Sequence, residues 1–247
     1  MKAIILAGGK GTRLRPLTCS VTKVMVPLLN RPFLEHLIYY LKKHNINDII
    51  LTLGYLAQQI QSYFGDGGKF GVKITYLVEE FPLGSAGAVK NAGRLLDNSF
   101  VVLNGDIFTD IDLTAMVNLH HQKKAIASIA LTPVDDPTPY GVVETDAENK
   151  IKRFLEKPGW DEVTTNMINA GIYILEPEIL NYIPSNIFFT FERDIFPSLL
   201  EKGQAIFSYS SEVYWTDIGT PELYLKLTHD LLHRYIGDES AKFEGQS

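Results

Sequence analysis

The sequence has a single cysteine, Cys19, among its 247 residues, and it has no excess of positive charge. One cysteine excludes an internal disulfide framework and is typical of a protein from a reducing compartment. The formal net charge is −6. Because this charge leaves no broad basic field, a long phosphate polymer such as DNA or RNA is not an expected partner. A small anion in a local basic pocket remains compatible with it.

Long hydrophobic runs are also missing. No apolar stretch approaches the roughly 18 residues of a membrane-spanning helix. The N-terminal segment MKAIILAGG has too short an apolar part for a signal peptide. The sequence therefore predicts a cytoplasmic protein with no membrane partner.

Short apolar runs alternate with helical patterns through the first half of the chain. The runs KAIILA, DIILTL, KITYLV and FVVLNGD have the length and β-branched content of strands buried on both faces. Between them, Pro32–Asn45 carries apolar residues at helical spacing, and SAGAVKNAGRLL follows a similar pattern. Repeated strand–helix–strand units predict an α/β fold with a mostly parallel central sheet covered by helices on both faces.

The second half is less regular. The strand-like runs AIASIAL, GVVETD, IKRFLEK and NAGIYIL are separated by turns, which predicts a more mixed part of the sheet. No linker or repeat divides the chain, so one domain is expected over residues 1–236. Thr220 is expected to cap, and Pro221 to begin, a last helix that ends near Ile236. Residues 237–247 are predicted to form a polar tail.

The stretch LAGGKGTRLRPLT, Leu6–Thr18, leaves the carboxyl end of the first strand, where ligands of open α/β sheets bind. Its glycines allow a sharp turn that brings backbone N–H groups to a phosphate chain, and Arg13 can add positive charge. The stretch fits neither G-x-x-x-x-G-K-[ST] nor G-x-G-x-x-G. It is interpreted as a different phosphate loop, with a plain Gly-rich connection as the alternative.

The motifs together resemble the sugar-nucleotide pyrophosphorylases, the family that joins a nucleoside triphosphate to a sugar 1-phosphate. AGGKGTRLRPLT, with Lys23 and Pro27 of TKVMVPLLNRP, is similar to the family signature, and the resemblance continues through LGSAGAV, LNGD, YGVV, EKP, NAGIYIL and DIGTPE. It implies a single Rossmann-like nucleotidyltransferase domain that releases pyrophosphate, and a homo-oligomer is a further expectation. Many guanylyl-type members add a β-helix of hexapeptide repeats. This sequence contains none after its last helix, so it is either a short member or part of a longer chain.

The resemblance also implies roles for the residues of the loop. Arg13 and Lys23 would contact the triphosphate and the charge that develops during transfer. Such a reaction needs alignment and charge neutralisation rather than a nucleophilic side chain, because the sugar phosphate oxygen is already ionised. The alternative for both cations is an ordinary solvated surface position. The expected nucleotide-binding residues of the loop are Leu6, Ala7, Gly8, Gly9, Gly11, Thr12 and Arg13.

Two aspartates are candidate Mg²⁺ ligands. Asp106 ends the run FVVLNGD, so its carboxylate is expected beside the phosphate loop, and Mg²⁺ prefers hard oxygen ligands. Asp217 of WTDIGTPE resembles the second acidic position of the family. Together they would bridge a metal to the reacting phosphates. The alternative for each is a loop cap or a surface aspartate.

Two further metal-binding patterns have simpler interpretations. Asp110-Ile111-Asp112 matches the Asp-x-Asp of glycosyltransferases, but Asp112 precedes a helical pattern and suits an N-cap. His229 and His233 have the i, i+4 spacing of a zinc-binding helix, but Asp230 stands where H-E-x-x-H requires glutamate. An exposed helix face is predicted for the two histidines.

A third block resembles the family's sugar-phosphate site. Glu156 and Lys157 of FLEKP match it, as does Asn169 of NAGIYIL. Lys157 can hold the phosphate, Glu156 can accept hydrogen bonds from sugar hydroxyls, and Gly141 of YGVV would let backbone approach the ring. A solvated Glu–Lys pair is the alternative for the first two residues.

The stretch EEFPLGSAG is predicted to lie near the nucleobase. Pro82, Leu83 and Gly84 are expected to form a tight turn, with Ser85 capping the next helix. The stretch resembles the P-L-G-T-A-G of mannose-1-phosphate guanylyltransferases, which implies GTP and mannose 1-phosphate as substrates. A heptose-1-phosphate guanylyltransferase is the nearest alternative, followed by a uridylyl or thymidylyl transferase acting on glucose 1-phosphate.

Other function classes fit less well. A dinucleotide-dependent oxidoreductase would need a true G-x-G-x-x-G and an acid after the second strand, and DIILTLGY supplies none. A metal-dependent glycosyltransferase would share much of the fold and the metal but release a nucleoside diphosphate. A catalytically inactive regulatory relative is disfavoured because Arg13, Lys23, Asp106 and Asp217 are all present.

Overall fold

The structure is a computed structural model that describes the backbone of residues 1–244 and the side chains of residues 1–234. Its strands are β1 (Lys2–Ala7), β2 (Pro27–Leu28), β3 (Arg31–Pro32), β4 (Asp48–Leu53), β5 (Lys73–Val78), β6 (Phe100–Asn104), β7 (Ile107–Thr109), β8 (Ala127–Pro133), β9 (Gly141–Thr145), β10 (Ile151–Glu156), β11 (Met167–Leu175), β12 (Ile206–Ser210) and β13 (Trp215–Asp217). Its α-helices are α1 (Phe33–Lys43), α2 (Ala57–Phe64), α3 (Gly84–Asn91), α4 (Leu113–Lys123), α5 (Phe196–Glu201) and α6 (Pro221–Glu244).

The main sheet has a parallel core and an antiparallel extension. Its strands follow the order β10-β9-β11-β6-β1-β4-β5, and β8 and β12 continue from β11. The strands β6, β1, β4 and β5 run parallel to one another, whereas β11 is antiparallel to β6, β8 and β9. The predicted parallel core and the predicted mixed second half are both confirmed.

The parallel core reverses its winding direction at β1. The chain moves from β1 to β4 and β5 on one side, and then returns to place β6 on the other side of β1. Ligands of open α/β sheets bind beyond the carboxyl ends of the strands at such a reversal. The Gly-rich loop follows β1 at this point and Asp106 follows β6, so the fold directs both predicted motifs to one edge.

Helices cover both faces of this sheet, as predicted. On one face, α1, α2 and α4 contribute Leu37, Ile60 and Met116 to a buried cluster with alternate residues of the central strands. On the other face, α3 and α5 contribute Val89 and Phe196 to a second cluster. Because apolar layers on both faces fix the sheet, the loops at its carboxyl edge are held on a rigid support.

Three predicted helix starts can be compared with the structure. Helix α1 lies within the predicted Pro32–Asn45. Asp112 caps α4, because its Oδ1 accepts a hydrogen bond from the backbone N of Ala115 at 3.0 Å. The Thr220 hydroxyl oxygen accepts from the backbone N of Leu223 at 3.4 Å at the start of α6. The capping predictions for Asp112 and Thr220 are confirmed.

The predicted end of the last helix is wrong. Helix α6 continues to Glu244 instead of ending near Ile236, so residues 237–244 of the predicted polar tail are helical. Gly237 alone does not end the helix, because the residues after it include good helix formers and no proline. Residues 245–247 lie outside the described part of the chain. Among the described residues, no helix is both long enough and apolar enough to cross a bilayer.

Candidate active site

A small two-stranded sheet brings together two aspartates that are far apart in the sequence. Strand β13 pairs antiparallel with β7, so that Asp217 lies opposite Ile107. The backbone N of Ile218 also donates to the backbone O of Asp106 at 2.9 Å. Both carboxylates therefore line one cavity of about 290 Å³.

This cavity, called the acidic cavity below, contains most of the predicted sugar-site and catalytic residues. Its lining includes Arg13, Asp106, Gly141, Glu156, Lys157, Asn169, Glu192 and Asp217. Two cations therefore stand among four carboxylates. Such a mixture suits a ligand that has a phosphate at one end and hydroxyl groups at the other.

A second cavity, the loop cavity, lies at the Gly-rich loop and has a volume of about 680 Å³. Asn104, at the end of β6, lines both cavities, so the two adjoin at the winding reversal of the sheet. The loop cavity thus lies where an open α/β sheet binds a nucleotide. The predicted nucleotide-site residues that line it are Leu6, Gly8, Gly9, Pro82, Gly84 and Ser85.

Four predicted nucleotide-site residues are placed differently. Ala7 is buried, with 3% of its surface exposed, and neither it nor Gly11 or Thr12 lines either cavity. Arg13 lines the acidic cavity instead of the loop cavity. Their contact with a nucleotide stays a prediction.

The backbone conformation and the packing of Gly11 explain why this loop position is a glycine. Its φ of +62° is in the left-handed region, and a Cβ atom there would lie 2.9 Å from the Cβ of Lys23. The Thr18 hydroxyl donates to the Gly11 carbonyl O at 2.7 Å and holds the turn. Glycine therefore lets the loop pack directly on the aliphatic part of Lys23.

Lys23 is paired with Asp106. Its ammonium nitrogen lies 2.5 Å from Asp106 Oδ2, and only 11% of the lysine side chain is exposed, against 32% for the aspartate. A nearly buried charge of this kind is stable only with a partner of opposite sign. The pair therefore fixes a cation next to Asp106, one of the carboxylates that line the acidic cavity.

Asp217 is held by two donors. The Tyr140 hydroxyl donates to Asp217 Oδ2 at 2.9 Å, and the backbone N of Gly219 donates to Asp217 Oδ1. Burial, followed by the charge of Asp217, raises the pKa of Tyr140, so its hydroxyl stays a proton donor. Tyr140 in turn packs edge-on against Trp215, with ring centroids 5.6 Å apart. The orientation of the carboxylate is thus set by its neighbours.

The two aspartates fit a divalent cation as partial ligands. Among the described residues, no group of three or more His, Cys, Asp or Glu side chains could hold a metal ion. Two carboxylates at one cavity match the way Mg²⁺ binds in phosphate chemistry, where water and substrate oxygens complete the shell. Their function as metal ligands stays a prediction.

The predicted sugar-site residues cluster at the other end of the acidic cavity. Burial, reinforced by the negative charge of Glu192, raises the pKa of Glu156. The Lys157 ammonium lies 4.0 Å from Glu156 Oε1, and about half of the lysine side chain is exposed. The Asn169 amide donates to the Tyr173 hydroxyl at 2.8 Å. The cluster therefore offers one half-exposed cation together with carboxylate and amide groups.

Other residues of the site were missed by the sequence analysis. Asn104 lies in the motif LNGD and Tyr140 in YGVV, but the residue types that predicted a function there were the neighbouring Asp106 and Gly141. Trp215 begins the motif WTDIGTPE, in which Asp217 was the predicted residue, whereas Glu192 gave no local signal because it reaches the cavity through contacts between distant segments. A carboxylate in the unremarkable stretch FTFERD cannot be distinguished from a surface glutamate by sequence pattern alone.

The predicted capping function of Ser85 is wrong. Helix α3 begins at Gly84, the residue before it is Leu83, and no side chain caps this start. The Ser85 hydroxyl instead donates to Glu192 Oε2 at 2.8 Å. The Ser85 hydroxyl is therefore bound to Glu192 of a distant segment instead of capping the helix.

The two histidines of α6 face the solvent, as predicted. Both His229 and His233 are exposed, and their Nε2 atoms lie 3.0 Å apart. They belong to neither cavity.

Comparison with known proteins agrees with this geometry. The family model described as nucleotidyl transferase matches residues 2–234. The UTP–glucose-1-phosphate uridylyltransferase of Synechocystis sp. is 41% identical over 96% of this chain and 64% of its own length. The mannose-1-phosphate guanylyltransferase of Mycobacterium tuberculosis is 39% identical over 93% of this chain and 64% of its own length.

Further relatives and a solved structure extend the comparison. Several further curated relatives named mannose-1-phosphate guanyltransferase are 39–40% identical. The structure of a putative glucose-1-phosphate thymidylyltransferase from Bacillus anthracis is 31% identical and covers 94% of both chains with a TM-score of 0.84. The chain spans 64% of the length of the first two curated relatives. The chain belongs to the nucleotidyl transferase family, whose matching members here are sugar-1-phosphate nucleotidyltransferases.

Proposed function

We propose that this chain transfers a guanylyl group from GTP to mannose 1-phosphate, giving GDP-mannose and pyrophosphate. The observation that carries the proposal is the pair of adjoining cavities, one at the Gly-rich loop and one at Asp106 and Asp217, with Asn104 between them. A triphosphate in the first cavity and a sugar phosphate in the second would meet at the carboxylate pair. We also propose that the protein is cytoplasmic, where nucleoside triphosphates would supply its substrate.

The chemistry needs no nucleophilic side chain. A phosphate oxygen of the sugar 1-phosphate attacks the α-phosphorus, a new P–O bond forms, and the bond from the α-phosphorus to the bridging oxygen breaks to release pyrophosphate. Lys23 and Arg13 would offset the negative charge of the approaching phosphates. Asp106 and Asp217 would hold Mg²⁺, which supplies charge neutralisation at the reacting phosphates when bound. Tyr140 would keep Asp217 in place.

The loop cavity offers modest support for guanine. Glu79 and Glu80 line it together with Tyr55, Phe81 and Phe188. Burial raises the pKa of Glu79, and its Oε2 accepts from the backbone N of Leu83 at 3.2 Å. Guanine presents two adjacent N–H donors on its pairing edge, whereas uracil and thymine present one, so carboxylate acceptors favour guanine. The aromatic side chains can stack on the base.

The sugar assignment rests on relatives, several of which are named mannose-1-phosphate guanylyltransferases. A glucose-1-phosphate uridylyl or thymidylyl activity is the second candidate, because relatives of both names are also similar. A heptose 1-phosphate is a further alternative acceptor. Self-association also stays a prediction, and the arguments about the two cavities do not depend on it.

A substrate panel tests the proposal. We expect kcat/KM at saturating Mg²⁺ to be highest for GTP when GTP, UTP, dTTP, CTP and ATP are compared with mannose 1-phosphate, and again with glucose 1-phosphate. Pyrophosphate release is the readout, since it separates this reaction from glycosyl transfer. A clear advantage of UTP or dTTP with either sugar would contradict the base assignment and leave the reaction class intact. No pyrophosphate with any pair would contradict the reaction class.

Replacing Lys157 with alanine is expected to raise the KM for the sugar 1-phosphate roughly tenfold or more, because a hydrogen bond to a charged phosphate is lost. The KM for the triphosphate should change little, since Lys157 lines only the acidic cavity. Lys152→Ala is the matched control: Lys152 lies on β10, which ends one residue before Lys157, but it pairs with Asp146 at 2.9 Å. Steady-state kinetics with each substrate varied in turn check the result, and equal rises in both KM values would remove Lys157 from the sugar site.

A further inference from the structure

One hydrogen bond joins the walls of the two cavities. Ser85 lines the loop cavity and Glu192 lines the acidic cavity. They are 107 residues apart in the sequence, yet the Ser85 hydroxyl donates to Glu192 Oε2 at 2.8 Å. A side chain on the nucleotide side is therefore in direct contact with a carboxylate on the sugar side.

The direction of this hydrogen bond is fixed by its surroundings. The backbone N of Phe191 donates to the Ser85 hydroxyl oxygen at 2.9 Å, so the serine proton is free for Glu192. The other oxygen of Glu192 accepts from the Tyr173 hydroxyl at 3.1 Å. Burial raises the pKa of Tyr173 far above its ordinary value, so Tyr173 stays a donor. Glu192 thus receives one proton donor from each side.

The same chain of hydrogen bonds reaches a predicted sugar-site residue. The Asn169 amide donates to the Tyr173 hydroxyl at 2.8 Å, and Asn169 Oδ1 accepts from the backbone N of Gly171 at 3.0 Å. The amide is therefore oriented by both of its ends. Ser85, Glu192, Tyr173 and Asn169 form one connected network from the loop cavity to the acidic cavity.

The backbone around Ser85 is shaped to receive the segment that carries Glu192. The backbone N atoms of Ala86 and Gly87 both donate to the Phe189 carbonyl O at 3.0 Å. A Cβ atom at Gly84 would lie 2.5 Å from that carbonyl O, and one at Gly87 would lie 2.8 Å from the Ile187 carbonyl O. The two glycines of LGSAG therefore permit close docking of residues 187–192 on the first turn of α3.

We propose that Ser85 is a positioning residue for the sugar 1-phosphate, which acts by holding the Glu192 carboxylate at the acidic cavity. A carboxylate offers about four acceptor positions, and the two named donors leave capacity for sugar hydroxyls. A residue on the nucleobase side thereby determines affinity for the sugar. This inference rests on the proposed function, since it requires a sugar phosphate in the acidic cavity.

Kinetics and calorimetry on three variants test the inference. Ser85→Ala is expected to weaken sugar 1-phosphate binding roughly tenfold, the loss expected for one hydrogen bond to a charged group, both as KM and as Kd measured without triphosphate. Ser85→Thr keeps the hydroxyl and should restore most of the affinity. Phe188→Ala is the matched control, because Phe188 lies on the docked segment and lines only the loop cavity. It should raise the KM for the triphosphate and leave the Kd of the sugar 1-phosphate unchanged.

Two results would overturn the inference. One is an unchanged Kd for the sugar 1-phosphate in Ser85→Ala. The other is an equal loss of sugar affinity in Ser85→Ala, Ser85→Thr and Phe188→Ala, which would indicate general loosening of the segment. The parent chain reports separately on the proposed function. If the parent chain neither binds nor turns over any sugar 1-phosphate in the substrate panel, both the proposed function and the inference about Ser85 fail. If the parent chain turns over normally and Ser85→Ala binds the sugar 1-phosphate equally well, only the inference about Ser85 is rejected.

Discussion

Replacing Asp106 with asparagine is expected to lower Mg²⁺-dependent kcat on the order of 100- to 1,000-fold, the range found when one preorganised electrostatic contact is removed from a site. The same loss is expected for Asp217→Asn. Each change keeps the size and shape of the side chain but removes one negative charge from the proposed metal site. Pyrophosphate release at a series of Mg²⁺ concentrations measures the effect.

Asp110→Asn provides the control for this prediction. Asp110 lies close to Asp106 in the sequence, but it is half exposed and pairs with Arg234 at 2.9 Å on the surface. An exposed pair of this kind contributes little to stability, so the control should keep nearly all activity. Circular dichroism should show all three variants folded. Near-parental kcat for both Asp106→Asn and Asp217→Asn at saturating Mg²⁺ would contradict the two-carboxylate site.

Replacing Lys23 with alanine is expected to reduce kcat/KM by roughly 100-fold or more, because the proposed site would lose a nearly buried cation beside Asp106. Lys23→Arg should not restore activity. The aliphatic part of Lys23 packs against Gly11, and its nitrogen already lies 2.5 Å from Asp106. The larger planar guanidinium has no room to replace this point charge without moving the loop.

The exposed Lys43 at the end of α1 offers a matched control, because Lys43→Ala removes the same charge from a solvated position, whereas Lys23 is nearly buried beside Asp106. Its kcat/KM should stay close to that of the parent. The measurement is again pyrophosphate release, with the triphosphate and the sugar 1-phosphate varied separately. An active Lys23→Arg variant would show that any cation at this position suffices, and the packing argument for Gly11 would then be wrong.

The strands of the parallel core could be predicted closely from the sequence. The runs KAIILA, DIILTL and KITYLV correspond to β1, β4 and β5 without a shift. Strands buried on both faces are short, apolar and rich in β-branched residues, so their signal is local and strong. Helix α1, between β1 and β4, was predicted for a similar reason, because one apolar stripe repeats at helical spacing. Helix α2, between β4 and β5, was not predicted.

Strand patterns alone located the site only where a motif lies at the end of such a strand, and the other predicted residues that line the acidic cavity came from the family resemblance. Asp106 and the Gly-rich loop follow β6 and β1, so the sheet itself brings them to one edge. Ser85 shows the limit of local reasoning: a serine at the start of a helix suggests a cap, but its partner is Glu192. The pairing of β7 with β13 and the place of Glu192 depend on contacts between distant segments, which no short pattern encodes.

The pairing of β13 with β7 also determines when, during synthesis of the chain, the two aspartates can come together. Asp106 is made well before Asp217, and β1, β4, β5 and β6 of the parallel core all precede β13 in the chain. The second carboxylate arrives only with β13, and its donor Tyr140 must already be in place. A nascent chain halted before Trp215 would thus contain the strands of the parallel core but only one of the two proposed metal ligands. The proposed reaction would therefore require β13, because this strand carries the second carboxylate.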